Sequence, residues 1–252
     1  MSTINENIFN KIVDHMGDVR LYENGQQIKQ RQVLSQHRVN LKTLLSKNIR
    51  ADVRPEVNRF AKEMNDSVVG STKDFFVAQN NFHYNNIAQE TKRFYKLEKP
   101  TTTQLLGDIT GPGMKGSKSI TQNVKNISAG ELVRIQTKVQ GGIAKGLTND
   151  EIIKDVLKTT KITEHQAKSL TRTAITSTQT NAMNRLLAAN PELFEGYMFT
   201  AILDGRTSSI CSFHNGQVYK LDDRRFMPPL HFNCRSAMVP VLKSKEDLLK
   251  LD

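Results

Sequence analysis

Both cysteines of this chain and two of its six histidines fall in one short stretch, as Cys211-x2-His214 and His231-x2-Cys234. Each pair has the ligand spacing of a zinc knuckle, and a hairpin-sized segment separates the pairs. Four N and S donors brought in by two tight turns suit a tetrahedral Zn²⁺. Asn215-Gly216 and Pro228-Pro229 favour turned, stiff backbone beside them. Two other chemistries fit the same residues. Cys211 and Cys234 suit a disulfide in an oxidising compartment. They also suit plain burial as small apolar side chains, with His214 on a solvated turn. A zinc ion here would be structural. A catalytic site wants an open position and a carboxylate base, and only Asp204, Asp222 and Asp223 are at hand. No catalytic residue is assigned.

The elements that must position these groups follow from periodicity. Tyr197, Phe199, Ala201 and Leu203 alternate with Met198, Thr200 and Ile202, a largely buried strand. Gly216–Leu221 and Ala237–Leu242 read as two more strands, the latter an edge because of Pro240. Upstream, Ser128-x-x-Glu131 has capping-box spacing and opens a helix carrying Leu132, Ile135, Val139 and Ile143, which ends at Gly146. Thr148-x-x-Glu151 opens a short helix. Thr163-x-x-Gln166 opens a third, with Ala167, Leu170, Ala174, Ala182 and Leu186 on one face and Pro191 beyond its end. The other face of that helix is dense in Thr, Ser and Gln from Thr171 to Thr180. Such a face is solvated, or it offers hydroxyls to phosphate.

The first hundred residues read as helical. Leu34, Leu41, Leu44 and Leu45 mark one face of a helix from Gln27 to Asn48, after a turn at Asn24-Gly25. Pro55 suits the first turn of a second helix running toward Tyr95, which Gly70-Ser71 would kink or split. These helices are polar with thin apolar stripes, so they need a neighbour to pack on, and another protein chain would serve. Residues 99–127 are rich in Gly, Pro and Thr and read as a linker or long loop. Gly111–Ser119 approaches a phosphate-binding loop, but Ser117 stands where its lysine belongs and no good strand precedes it. The expected organisation is α+β and mostly α-helical. It comprises a helical N-terminal arm over 1–98, the linker over 99–127, and a helical domain with a small β-sheet over 128–252.

Composition bounds the function. The chain has 252 residues and a formal net charge of +11, with 37% hydrophobic residues and no Trp. The basic excess is spread along the chain with no run of five or six like charges, which excludes a dedicated DNA-gripping tail. No apolar run approaches the ~20 residues of a membrane helix. The first ten residues are polar and include Glu6, unlike a secretory signal or an Arg-rich transit peptide.

The stretch from Asp204-Gly-Arg206-Thr207 through Cys211, Asn215 and Gly216, and then Pro228-Pro229-Leu-His231-Phe-Asn-Cys234-Arg235, resembles the C-terminal signature of the bacteriophage Mu F-like minor head proteins, also called phage head morphogenesis proteins. The helix with Leu170-Thr-Arg172-Thr173 is similar to the one that precedes that signature. The close likeness covers about residues 164–242, and a weaker helical likeness reaches back to about 128. Ser208 stands where many members have Cys, and Asn215 where they have His or Asp. A family-like metal site would therefore use Cys211, His231 and Cys234, with His214 or Asp204 as fourth ligand.

The resemblance implies a virion structural protein, not an enzyme. It would be made in the host cytoplasm and placed inside the capsid at the portal vertex, acting in head morphogenesis. Its implied partners are the portal protein, the major capsid or scaffolding protein, and packaged double-stranded DNA contacted without sequence preference. It would aid DNA packaging or ejection. Asp204, Arg206, Thr207, Gly216, Pro228 and Pro229 are expected to shape the signature's turns. Arg172, Arg206 and Arg235 are fork-shaped donors for a partner or phosphate, or for an intradomain salt bridge. Two alternatives remain. One is a metal-dependent nuclease of the HNH type. The other is a zinc-containing nucleic-acid-binding protein with no virion role.

Overall fold

The computed structural model describes residues 3–100 and 118–248. Four long helices come first: α1 (Thr3–Lys47), α2 (Arg54–Thr91), α3 (Ile120–Ala144) and α4 (Asn149–Ala189). Then follow strand β1 (Phe194–Thr200), the short helix α5 (Ser209–His214), strand β2 (Val218–Lys220), a 3-10 turn (Arg224–Phe226), strand β3 (Ala237–Leu242) and a last turn of helix, α6 (Lys245–Leu248). This is the expected α+β, mostly helical architecture. No helix among the described residues is long and apolar enough to cross a membrane.

Helix α1 is twice as long as predicted and runs straight through Asn24-Gly25. Its buried positions include Val19, Glu23, Gln26, Gln30, Leu34, His37 and Leu41, a spacing of three and four that never lapses. Four of those seven are polar, so an apolar-only stripe loses the helix between Val19 and Leu34. A lone interior glycine costs about 1 kcal/mol relative to alanine, which a face of this length outweighs. Likewise Gly70-Ser71 does not split α2.

Helix α3 starts at Ile120, inside the predicted linker, with Ser119 as its cap accepting from the Gln122 amide. Most of the rest of that linker, including most of the near phosphate loop, lies outside the described residues. Ser128-x-x-Glu131 is therefore mid-helix rather than a cap: Ser128 Oγ donates to Lys125 O, and Glu131 is buried. Thr148 and Glu151 do form the reciprocal capping box, Thr148 N to Glu151 Oε2 at 2.8 Å and Glu151 N to Thr148 Oγ1 at 3.3 Å. The helix they open does not stop before Thr163. Thr163 is an interior residue whose hydroxyl bonds the Glu131 carboxylate, which also takes Arg134 Nη2 at 2.9 Å. Two capping-box look-alikes are thus one buried polar link between α3 and α4.

The sheet is antiparallel in the order β2-β1-β3. Strand β1 begins three residues earlier than its alternation suggests, at Phe194. Strand β3 is the predicted edge, with Pro240 opposite Tyr197. At Gly196 a Cβ would lie 2.1 Å from the Tyr219 carbonyl oxygen, so the β1–β2 approach requires glycine.

The chain divides into two compact units: Met1–Glu23, Ser71–Ser117 and Arg172–Asp252 in one, Asn24–Gly70 and Lys118–Thr171 in the other. The first unit centres on Ile8, Ile12, Ile87, Met183, Leu186, Phe194, Tyr197 and Val239. Here α1 and α2 pack on α4 and the sheet of their own chain. The neighbour that their thin stripes demand is thus supplied internally. The second unit centres on Leu41, Leu45, Val57, Ile135, Ile152 and Val156.

Candidate functional site

Strand β1 leads into a turn that the residues Asp204 to Thr207 build for themselves. The Asp204 amide donates to Thr207 Oγ1 at 2.9 Å, and the Arg206 amide donates to Asp204 Oδ1 at 2.9 Å. This turn delivers Ser208, which caps α5 by accepting from the Cys211 amide. Helix α5 then buries Cys211. After it, Gly216 adopts φ +80°, a conformation that L side chains resist. Asn215 Oδ1 accepts from Ala201 N at 2.8 Å, fastening the end of α5 to the chain just after β1.

The second half of the site arrives on the segment after the cis Pro228-Pro229 bond. Cys234 N donates to His231 O at 3.2 Å, closing a tight turn. Asn233 inside that turn is left-handed, φ 66°, which Asn tolerates better than most residues. Helix α4 holds the turn in place. Thr173 Oγ1 accepts from Asn233 N at 3.1 Å, and Thr176 Oγ1 donates to Cys234 O at 2.9 Å. The hydroxyl-rich face of α4 is therefore neither solvated nor open to phosphate: Thr171, Thr173, Thr176, Ser177 and Thr180 are all buried. Sequence reasoning placed Thr173 and Thr176 on a hydroxyl-rich face but missed that they hold the Cys234 turn. Their three-residue spacing on one helix face was the available signal.

These two halves bring Cys211, His231 and Cys234 together, with one ligand atom from each lying within 4.8 Å of the others. Cys211 Sγ is 3.2 Å from His231 Nε2 and 3.6 Å from Cys234 Sγ. Both cysteines are buried and free. Ser208 Oγ lies 2.8 Å from the same Nε2. His231 Nδ1 is 2.7 Å from the Phe232 carbonyl oxygen, which can only accept, so Nδ1 carries the proton. The Cys211 thiol is pulled down by the hydrogen bond from Cys234, helped by Ser208 and Ser236, against the opposing effect of burial. Cys234 is pushed up by the same pairing and by burial.

His214 is not part of this cluster. Its Nδ1 meets the Tyr219 hydroxyl, and its ring packs 4.5 Å from that of Phe226. Asp204 is also engaged elsewhere. Arg235 grips it with both terminal nitrogens, at 2.6 and 2.5 Å, and Arg206 adds a contact at 3.2 Å. The Arg235 hydrogen bonds, then the Arg206 amide, hold the Asp204 carboxyl far below the usual carboxylate range. Arg172 is paired too, with Nε 2.6 Å from Glu23 Oε1. Each of the three arginines thus has an intradomain carboxylate, and Arg206 is the most exposed of them.

Residues 133–239 match the family model described as Phage Mu protein F like protein. A 166-residue stretch is 25% identical to an uncharacterized protein of Haemophilus influenzae, covering 62% of this chain and 34% of that protein. The chain thus spans about a third of the length of that curated relative. No solved structure matches significantly. The matched region encloses β1, α5, β2, the first half of β3, and every signature residue from Asp204 to Arg235. Over residues 133–239 the chain is similar to the Phage Mu protein F like family, the likeness that its signature residues imply.

Proposed function

We propose that this chain is a minor head protein of a tailed bacteriophage, held at the portal vertex inside the capsid and acting in head morphogenesis. The observation that carries the reading is the family match over residues 133–239, which encloses a signature that the fold draws into one clasp. The portal protein is its first partner, with the major capsid or scaffolding protein beside it. The net charge of +11 supports sequence-blind, salt-sensitive contact with packaged DNA, in packaging or on ejection. The proposal assigns it no catalytic step.

The fold favours this role over a nuclease. A metal-finger nuclease needs a helix behind its hairpin and a free histidine base. Here β3 follows Cys234, and His214 is bonded to Tyr219. A nucleic-acid-binding role without a virion would need free forks, and Arg172 and Arg235 are committed to carboxylates. The reading is tested by deleting the reading frame from the genome that encodes it. Heads with altered portal-proximal density or a marked loss of infectivity are expected. Normal density together with full infectivity would overturn it.

A further inference from the structure

The cluster at the heart of the clasp contains more than a packing contact requires. A tetrahedral zinc ion, with Zn–S near 2.3 Å and Zn–N near 2.05 Å, separates its sulfurs by about 3.8 Å and a sulfur from a nitrogen by about 3.6 Å. The corresponding separations in this fold are 3.6 Å for Cys211 to Cys234 and 3.2 Å for Cys211 to His231. The imidazole presents Nε2 to the sulfurs while Nδ1 is fixed on the Phe232 carbonyl. A ligating histidine is commonly oriented in this way, its other nitrogen donating to a backbone carbonyl.

We infer that Cys211, His231 and Cys234 are the protein ligands of one zinc ion, and that the fourth position, beside Ser208, takes a water or the Ser208 hydroxyl. Neither His214 nor Asp204 reaches it, since Tyr219 engages the first and Arg235 the second. On binding, the two thiols release their protons to solvent and the imidazole stays neutral. Two thiolates then balance the dication and leave a neutral buried site. The ligands join α5 to the turn before β3, across the segment 215–230 that carries β2 and the 3-10 turn. The metal would be structural, bracing the closure that the Asp204–Arg235 pair makes at the base of the signature. This inference stands on the donor geometry and does not depend on a virion role.

The test uses the full chain, reduced and stripped of metal with a chelator, then titrated with Co²⁺ and with Zn²⁺. The wild type should bind one equivalent and show the strong visible bands of tetrahedral cobalt with a thiolate-to-cobalt charge-transfer band. X-ray absorption on the zinc form should count two sulfur and two N/O neighbours. His231→Ala should lose the visible bands, with helical content checked by circular dichroism. His214→Asn should keep them. Ser208→Cys should tighten binding and raise the charge-transfer intensity by about half, one thiolate joining two. The inference is overturned if the reduced wild type shows no stoichiometric spectrum, if the sulfur count differs from two, or if folded His231→Ala retains the bands. It is also overturned if His214→Asn, still folded, loses them.

Discussion

Arg235 closes both guanidinium nitrogens on the two carboxylate oxygens of Asp204, residues 31 positions apart in sequence. This pair ties the turn after β1 to the residue that follows the Cys234 turn. The ends of the signature therefore meet, and the segment between them, which carries α5, β2 and the 3-10 turn, is held shut at its base. The Arg235 side chain is only 12% exposed, which keeps the fork from serving phosphate.

The clasp makes stability depend on pH in one direction. Asp204 ionises more readily folded than unfolded, so its contribution is complete above the unfolded value of about 4 and fades as pH falls below it. Asp204→Asn should lower Tm at pH 7. The gap to wild type should then narrow as pH drops from about 4 toward 2. Thermal melts across that range check this, and a gap that widens on acidification would contradict it.

The α4 hydroxyls should be worth measurable stability. Thr176→Val keeps the shape and removes the donor to the buried Cys234 carbonyl, which should cost about 1–2 kcal/mol in a urea melt. Thr173→Val should cost a similar amount through the Asn233 amide. Ser177→Ala, whose hydroxyl has no partner, should be close to neutral.

Backbone conformation at Asn233 predicts an ordering of substitutions. At φ 66°, a β-branched side chain is strained, so Asn233→Val should destabilise by about 1–3 kcal/mol. Asn233→Gly should lie within about 0.5 kcal/mol of wild type. Equal effects of the two in denaturant melts would count against the left-handed turn.

Two glycines should respond with opposite signs. Gly196→Ala drives a methyl onto the Tyr219 carbonyl and should cost about 2–3 kcal/mol or more by parting β1 from β2. Gly25→Ala meets open space in the middle of α1 and should gain about 0.5–1 kcal/mol. A Gly25→Ala variant less stable than wild type would argue for the turn that Asn24-Gly25 suggests in sequence.

What was legible in the sequence, and what was not, follows from where polarity was buried. The spacing of Cys211, His231 and Cys234 identified the cluster because short tight turns leave donors few places to go. His214 misled because its spacing from Cys211 says nothing about Tyr219 and Phe226, which come from β2 and the turn after it. The capping box at Thr148 was readable, since it is purely local. Those at Ser128 and Thr163 were imitations, because Glu131 and Thr163 bond each other across helices. The length of α1 and the burial of α4's hydroxyl face escaped for one reason. Hydrophobic periodicity does not count Gln30, His37, Thr176 or Thr180 as interior, and here they are.

The central claim is that this chain is a component of the phage head. The direct test is to purify particles made by the genome that encodes it, digest their exterior with protease, and analyse the opened heads by quantitative mass spectrometry. The account predicts the chain intact, in few copies per head, and cross-linked to the portal protein when a short-range reagent is applied. Its absence from purified heads, or its removal by external protease, would contradict the account.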